Sequence, residues 1–110
     1  MKAAIFHPAA REAIRSFPVA VRRELGKALY DLQKGETLSM PLARPMASIA
    51  PGAAELRIGD SAGIYRVFYL VKSERGILVF HAFVKKSRFT PHQELELGRK
   101  RLKELLDEEN

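Results

Sequence analysis

The sequence predicts one α+β domain: a small antiparallel sheet packed against two N-terminal helices, with a third helix at the C-terminal end. Three observations predict it. Apolar residues recur at helical spacing through residues 18–34. Three runs rich in β-branched and aromatic residues follow between 54 and 84, separated only by short connections. A Thr-Pro-His-Gln sequence from Thr90 then opens a last charged, leucine-bearing segment. The element order is βααβββα. With 110 residues the chain suits a single domain, 1–110, with one modest core and no room for separate cofactor and substrate domains.

The elements follow in order. Residues 2–6 read as a short strand. Pro8 suits the first position of a helix, where its missing N–H costs nothing, and that helix runs to Ser16 with Ile14 and Phe17 as core contacts. Pro18 opens a second helix to about Lys34. Its residues Val21, Leu25, Ala28, Leu29 and Leu32 fall on one stripe, and Gly35 stops it. Residues 36–52 hold Pro41, Pro45, Pro51 and Gly52 and read as a long ordered loop, a candidate contact for substrate or partner. Strands are expected at 54–59, 63–71 and 77–84. Thr90 caps the last helix, with Gln93 completing a capping box, and Leu95, Leu102, Leu105 and Leu106 face inward as far as about Asp107.

Composition narrows the function classes. There is no cysteine, which removes disulfide scaffolds and Cys-ligated metal sites and fits the cytosol. His7, His81 and His92 lack ligand spacing, so no metal and no cofactor are expected. The first residues are too short an apolar run for a signal peptide, and no stretch approaches a membrane span. Charge is uneven: residues 1–90 carry 15 basic and 7 acidic side chains, residues 91–110 carry 4 and 6. A basic body favours polyanions or an acidic protein partner, although many small proteins are this basic simply through a solvated surface.

Strand alternation sorts the side chains. Leu56, Ile58, Tyr65, Val67, Tyr69, Val71, Leu78, Phe80, Ala82 and Val84 form the more apolar set and are expected to face the N-terminal helices. The opposite set brings Glu55, Arg57, Arg66, His81 and Lys85 onto one concave face, with Lys86, Ser87 and Arg88 at the strand's end. Guanidinium groups bind two phosphate oxygens at once and stay charged, and Phe68 and Phe83 could stack on unpaired bases. A structural reading stands beside this one. Arg66 can pair with Glu55 across the sheet, and His81 can be a satisfied sheet histidine.

The runs Glu55-Leu56-Arg57, Gly63-Ile64-Tyr65-Arg66-Val67-Phe68-Tyr69, Phe80-His81-Ala82-Phe83-Val84-Lys85-Lys86-Ser87 and Thr90-Pro91 resemble the phage-derived, HigB-like branch of the RelE/HigB/ParE toxin superfamily. The resemblance covers the second half in sequence and the whole chain in element order. It implies the toxin of a type II toxin–antitoxin system, a cytoplasmic, metal-independent endoribonuclease that cuts mRNA on the ribosome. A cognate antitoxin, often with a helix-turn-helix region, would neutralise it. By position, Arg66 is expected to stabilise phosphorane charge and Arg57 to hold phosphate. Lys85 and Lys86 are expected to neutralise phosphate or protonate the leaving oxygen, and Arg88 to bind RNA. Several relatives place a tyrosine near the final segment, but here none follows Tyr69. Phe89 can stack but cannot move a proton, whereas His92 can do both. The general base is therefore His81, His92 or a lysine of lowered pKa.

Two other functions share this fold. One is a ParE-like toxin that poisons DNA gyrase without cutting RNA, and the other is a non-catalytic phage-derived binding module. The basic cluster at Arg57, Arg66 and Lys85/Lys86 favours RNA over gyrase.

Overall fold

The computed structural model describes residues 1–60, 63–72, 75–85 and 90–108. Among these residues the chain forms β1 (Ala4–Phe6), α1 (Pro8–Arg15), α2 (Val19–Gln33), β2 (Ala43–Pro45), β3 (Ala53–Asp60), β4 (Gly63–Lys72), β5 (Gly76–Lys85) and α3 (His92–Glu108). The strands build one sheet in the order β1-β5-β4-β3-β2. The α+β class and the C-terminal helix are as the sequence predicts, with two differences. The sheet is mixed, because β1 runs parallel to β5. It also gains an edge strand, β2, inside the stretch expected to be loop. Its proline density hid that strand. Proline is tolerated at a sheet edge, where the missing N–H breaks no ladder, and Pro45 ends β2 there. None of the described helices is long and apolar enough to cross a membrane.

Local signals set the helix ends. Pro8 takes the first turn of α1, and His7 caps it by accepting the Ala9 N–H at Nδ1, 3.0 Å away. Beyond α2, Gly35 adopts a φ of 95°. Its N–H reaches the Leu32 carbonyl, and the Glu36 N–H reaches that of Asp31. These two bonds form a Schellman turn, which glycine permits because it has no Cβ to clash.

The sheet is buried on both faces. On one side α1 and α2 cover Leu56, Ile58, Tyr65, Val67, Tyr69, Ile77, Val79 and Ala82. On the other, α3 and the segment around Met46 and Ile49 cover Phe68, Leu78, Phe80 and, in part, Phe83. Leu78 and Phe80 thus sit opposite to the expected face, and Ile77 and Val79 replace them under the N-terminal helices. The cause is a β-bulge. Phe68 pairs with His81 but Tyr69 pairs with Val79, leaving Phe80 as the extra residue of β5. Such a residue reverses the alternation on one side of it. A strand covered on both faces reads as a continuous apolar run, and Ile77-Leu78-Val79-Phe80 gave no alternation from which to place the bulge.

Gly98 lets α3 lie close on the sheet. A Cβ there would stand 2.8 Å from the Phe68 ring. Overpacking of this kind costs about 1–3 kcal/mol, more than the roughly 1 kcal/mol alanine gains over glycine in a helix. Gly98→Ala should therefore lower the urea midpoint. Gly26→Ala in α2, where a Cβ meets nothing within 4 Å, should raise it. Equal shifts in both variants would show that α3 does not pack at this distance.

Candidate functional site: an arginine cluster around Glu55

The face opposite α1 and α2 carries the polar residues that strand alternation predicted. Arg57 lies directly across from Arg66, and Arg66 across from Phe83. One row along, Arg44 faces Glu55, Glu55 faces Phe68, and Phe68 faces His81. In the third row Lys85 lies opposite Ile64. Lys85 and Arg66 therefore project from the same side, with Cα atoms about 8 Å apart by strand geometry. Lys85 is exposed. The face is not open throughout, because α3 lies over its centre.

Glu55 organises the cluster. Its side chain is 0% exposed, as is that of Arg66. Oε1 accepts from Arg44 Nε at 3.1 Å and stands 3.5 Å from Arg57 Nε. Oε2 accepts from the Thr90 hydroxyl at 3.0 Å and lies 3.9 Å from Arg66 Nη1. Thr90 Oγ1 in turn accepts from Arg44 Nη2 at 2.9 Å and Arg66 Nη1 at 3.0 Å. Three guanidiniums thus gather around one carboxylate, which leaves a local excess of positive charge. Burial lowers the pKa of Arg66 and the Glu55 charge raises it, while Arg57 and Arg44 lower it further. The cross-strand pairing of Arg66 with Glu55, which the sequence left open as a structural role, is present.

Thr90 was expected to cap α3, but its hydroxyl serves this cluster. The Pro91 carbonyl instead accepts the Glu94 and Leu95 N–H groups at the start of the helix.

His81 is 2% exposed, and α3 holds both of its ring nitrogens. Arg101 Nη1 lies 2.6 Å from Nδ1 and Glu94 Oε1 lies 2.7 Å from Nε2. Arginine has no acceptor, so Nδ1 must accept and Nε2–H must donate to Glu94. This assigns the neutral imidazole. Burial pushes the His81 pKa below its ordinary value near 6.5, the Glu94 bond opposes this, and the Arg101 charge lowers it further. The unfolded chain therefore takes up this proton before the folded chain does, and stability must fall as pH drops below about 6.5. Urea unfolding between about pH 7.5 and 5.5 should show this loss, and His81→Gln should lose less over the same range. Identical slopes would remove His81 as the cause.

The remaining candidates separate. Phe68 is 0% exposed and packs against Phe80, His81 and Phe83, with ring centroids 6.1, 5.4 and 5.5 Å away. Covered by Gly98, it is a core residue with no face open to a base, which corrects its expected stacking role. Phe83 is partly buried beside it. His92 is exposed on the first turn of α3 and pairs with Glu96 at 2.8 Å. Lys86, Arg88 and Phe89 lie outside the described residues.

Arg44, Glu94 and Arg101 were missed by the sequence reading. Arg44 sat in the presumed loop. Glu94 and Arg101 share the buried stripe of α3 with Gly98, Leu102 and Leu105 at helical spacing, a signal masked by their charge. Among the described residues, no group of three or more His, Asp or Glu side chains could hold a metal ion. A mostly apolar groove of about 550 Å³ lies between the end of α2, the 35–40 segment and β2, lined by Leu32, Leu38, Ala43, Tyr69 and Val71 and reaching Arg44 at its rim.

A family model, Phage derived protein Gp49-like (DUF891), matches residues 12–103. The chain belongs to this Gp49-like family. The family is a group of RelE/HigB-like toxins. In structure, the Gp49-like chain is similar to a chain of the intact E. coli RelBE toxin-antitoxin complex, with a TM-score of 0.52 at 18% identity over 79% of this chain and 100% of that one. At that identity the likeness shows the RelE-type fold. No curated protein matches the sequence.

Proposed function

We propose that this Gp49-like chain is the toxin of a toxin–antitoxin pair and cleaves mRNA on the ribosome. The observation that carries this reading is the gathering of Arg44, Arg57 and Arg66 around a single carboxylate, on the sheet face that also presents Lys85. In the reaction a ribose 2′-OH attacks the adjacent phosphorus, the P–O5′ bond breaks, and a cyclic phosphate and a 5′-hydroxyl result. Charge grows on the phosphorane oxygens, where fixed guanidiniums stabilise it most. Arg66 and Arg57 fill that role, and Lys85 supplies positive charge toward the leaving 5′ oxygen. The exposed His92 is the better-placed candidate base, since His81 spends both nitrogens on α3.

The partner in this reading is an antitoxin. The RelE-type fold is found in a toxin–antitoxin complex, and an acidic antitoxin segment would be steered by the basic body of residues 1–90. Ribosome and mRNA are the targets, and the site of action is the cytoplasm.

The burial of Arg66 and the full occupation of His81 favour one alternative, a protein that acts by binding alone, on gyrase or on a partner. Brief induction in cells separates the readings. Mapping transcript 5′ ends by primer extension should show new cuts in translated messages, lost when translation is blocked beforehand. Whole transcripts with halted replication would point to gyrase. Whole transcripts with normal growth would point to a binding module.

A further inference from the structure

We infer that the apolar groove between the end of α2 and β2 seats an acidic, amphipathic helix of the antitoxin. The inference rests on the toxin–antitoxin reading above and gives that partner its contact surface.

The groove leaves large apolar side chains in water. Tyr69 of β4 is buried beneath the N-terminal helices, whereas Val71, two residues on and on the same face, is 40% exposed. Met40, which also lines the groove, is 60% exposed. Clustered exposure of this kind, rimmed by polar residues, marks a surface that another chain covers. Charge decides the occupant. The charged side chains of the lining are Lys2, Glu36 and Arg44. Lys34 holds Glu36 at 3.1 Å, so the two cations set the field at the rim. Arg44 shares Glu55 with Arg57 and Arg66, which leaves its charge only partly balanced. A segment acidic around its apolar anchors is therefore steered in. Backbone chemistry decides its form. The Arg57 N–H donates to the Leu42 carbonyl and the Met46 N–H to that of Ala53, both at 2.8 Å, so residues 42, 44 and 46 turn their polar groups toward β3. On the outer edge the Ala43 N–H is spent on the Ser39 carbonyl at 3.0 Å, and Pro45 has none. A strand added there would meet carbonyls without donors. A helix satisfies its own backbone and needs only a groove for its apolar side chains.

The test uses the full chain and the protein encoded by the adjoining gene. Val71→Glu, which puts an anion among the apolar anchors, should weaken their complex by about tenfold or more, the effect of losing one interface anchor. Val19→Glu, at the exposed start of α2 and outside the groove, should leave it unchanged. Lys2→Glu should weaken it several-fold at low salt and little at high salt. The chain has no cysteine, so Val71→Cys and Val19→Cys each introduce a single thiol. The partner should slow alkylation of the thiol at position 71 and not of that at 19. Benzophenone attached at position 71 should mark partner residues three or four apart, whereas marks on every second residue would mean a strand and overturn the helical form. Equal affinity of wild type and a folded Val71→Glu, or equal alkylation at 71 with and without the partner, overturns the groove and leaves the antitoxin reading standing. Protection at 71 that grows with the concentration of the chain alone gives the groove to a second copy and overturns the inference too. A wild-type chain that forms no complex with the adjoining gene's product removes the antitoxin reading itself.

Discussion

Replacing Glu55 by glutamine should destabilise the chain by about 3–5 kcal/mol, the usual cost of removing one partner from a buried ion pair. Domains of this size have about 5–15 kcal/mol in total, so the variant should sit close to unfolding. The reason lies in the arithmetic of charge. The carboxylate is fully buried and is the common partner of Arg44, Arg57 and Arg66. Arg44 and Arg57 reach solvent and can recover part of their hydration. Arg66 cannot, and bears most of the loss. Glutamine keeps an acceptor oxygen but has no charge to set against the three cations. Its amide also adds a donor where only acceptors are wanted. Urea unfolding checks this through a large fall in midpoint at unchanged slope. Arg66→Met in the Glu55→Gln background should recover part of the loss, because a buried cation without its anion is worse than an apolar side chain of similar volume. If Glu55→Gln cost less than about 1 kcal/mol, the carboxylate would not be holding this cluster.

The same arithmetic explains why much of the fold and part of the site could be read from the chain. Helix α2 is legible because Val21, Leu25, Ala28, Leu29 and Leu32 form one stripe between a proline and a glycine, and no tertiary contact opposes that signal. Strands β3 and β4 pair without a bulge, so simple alternation from the polar residues puts Glu55, Arg57 and Arg66 on one face, where the structure has them. Strand β5 does not alternate. Both of its faces are covered, and the bulge at Phe80 depends on pairing with β4. Strand β2 depends wholly on its partner: Ala43-Arg44-Pro45 has no strand tendency of its own, and β3 supplies the ladder. The polar network of α3 was hidden for another reason. Glu94 and Arg101 lie on the buried stripe only because His81 is there to receive them, and charge read locally points to solvent.

Arg66→Ala should reduce mRNA cleavage by about 10²–10³-fold, the loss typical of removing one fixed donor to a developing oxyanion. The fold should survive, since Glu55 keeps Arg44, Arg57 and Thr90 as partners. Activity and stability should therefore separate. The alanine variant stays folded but inert, whereas Glu55→Gln loses both. Arg66→Lys discriminates further. Lysine keeps the charge but replaces a planar fork with one ammonium, so it should recover only part of the rate. Burial already lowers the pKa of the arginine at this position, and an ammonium in the same place starts from a lower value and neutralises more readily. Only its protonated form can stabilise phosphorane charge. The lysine variant should thus lose activity as pH rises through its depressed pKa, while wild type, whose guanidinium stays charged, shows no such fall. Single-turnover cleavage by the two proteins over a pH series measures the difference. Parallel profiles would mean that residue 66 supports the sheet and takes no part in the chemistry.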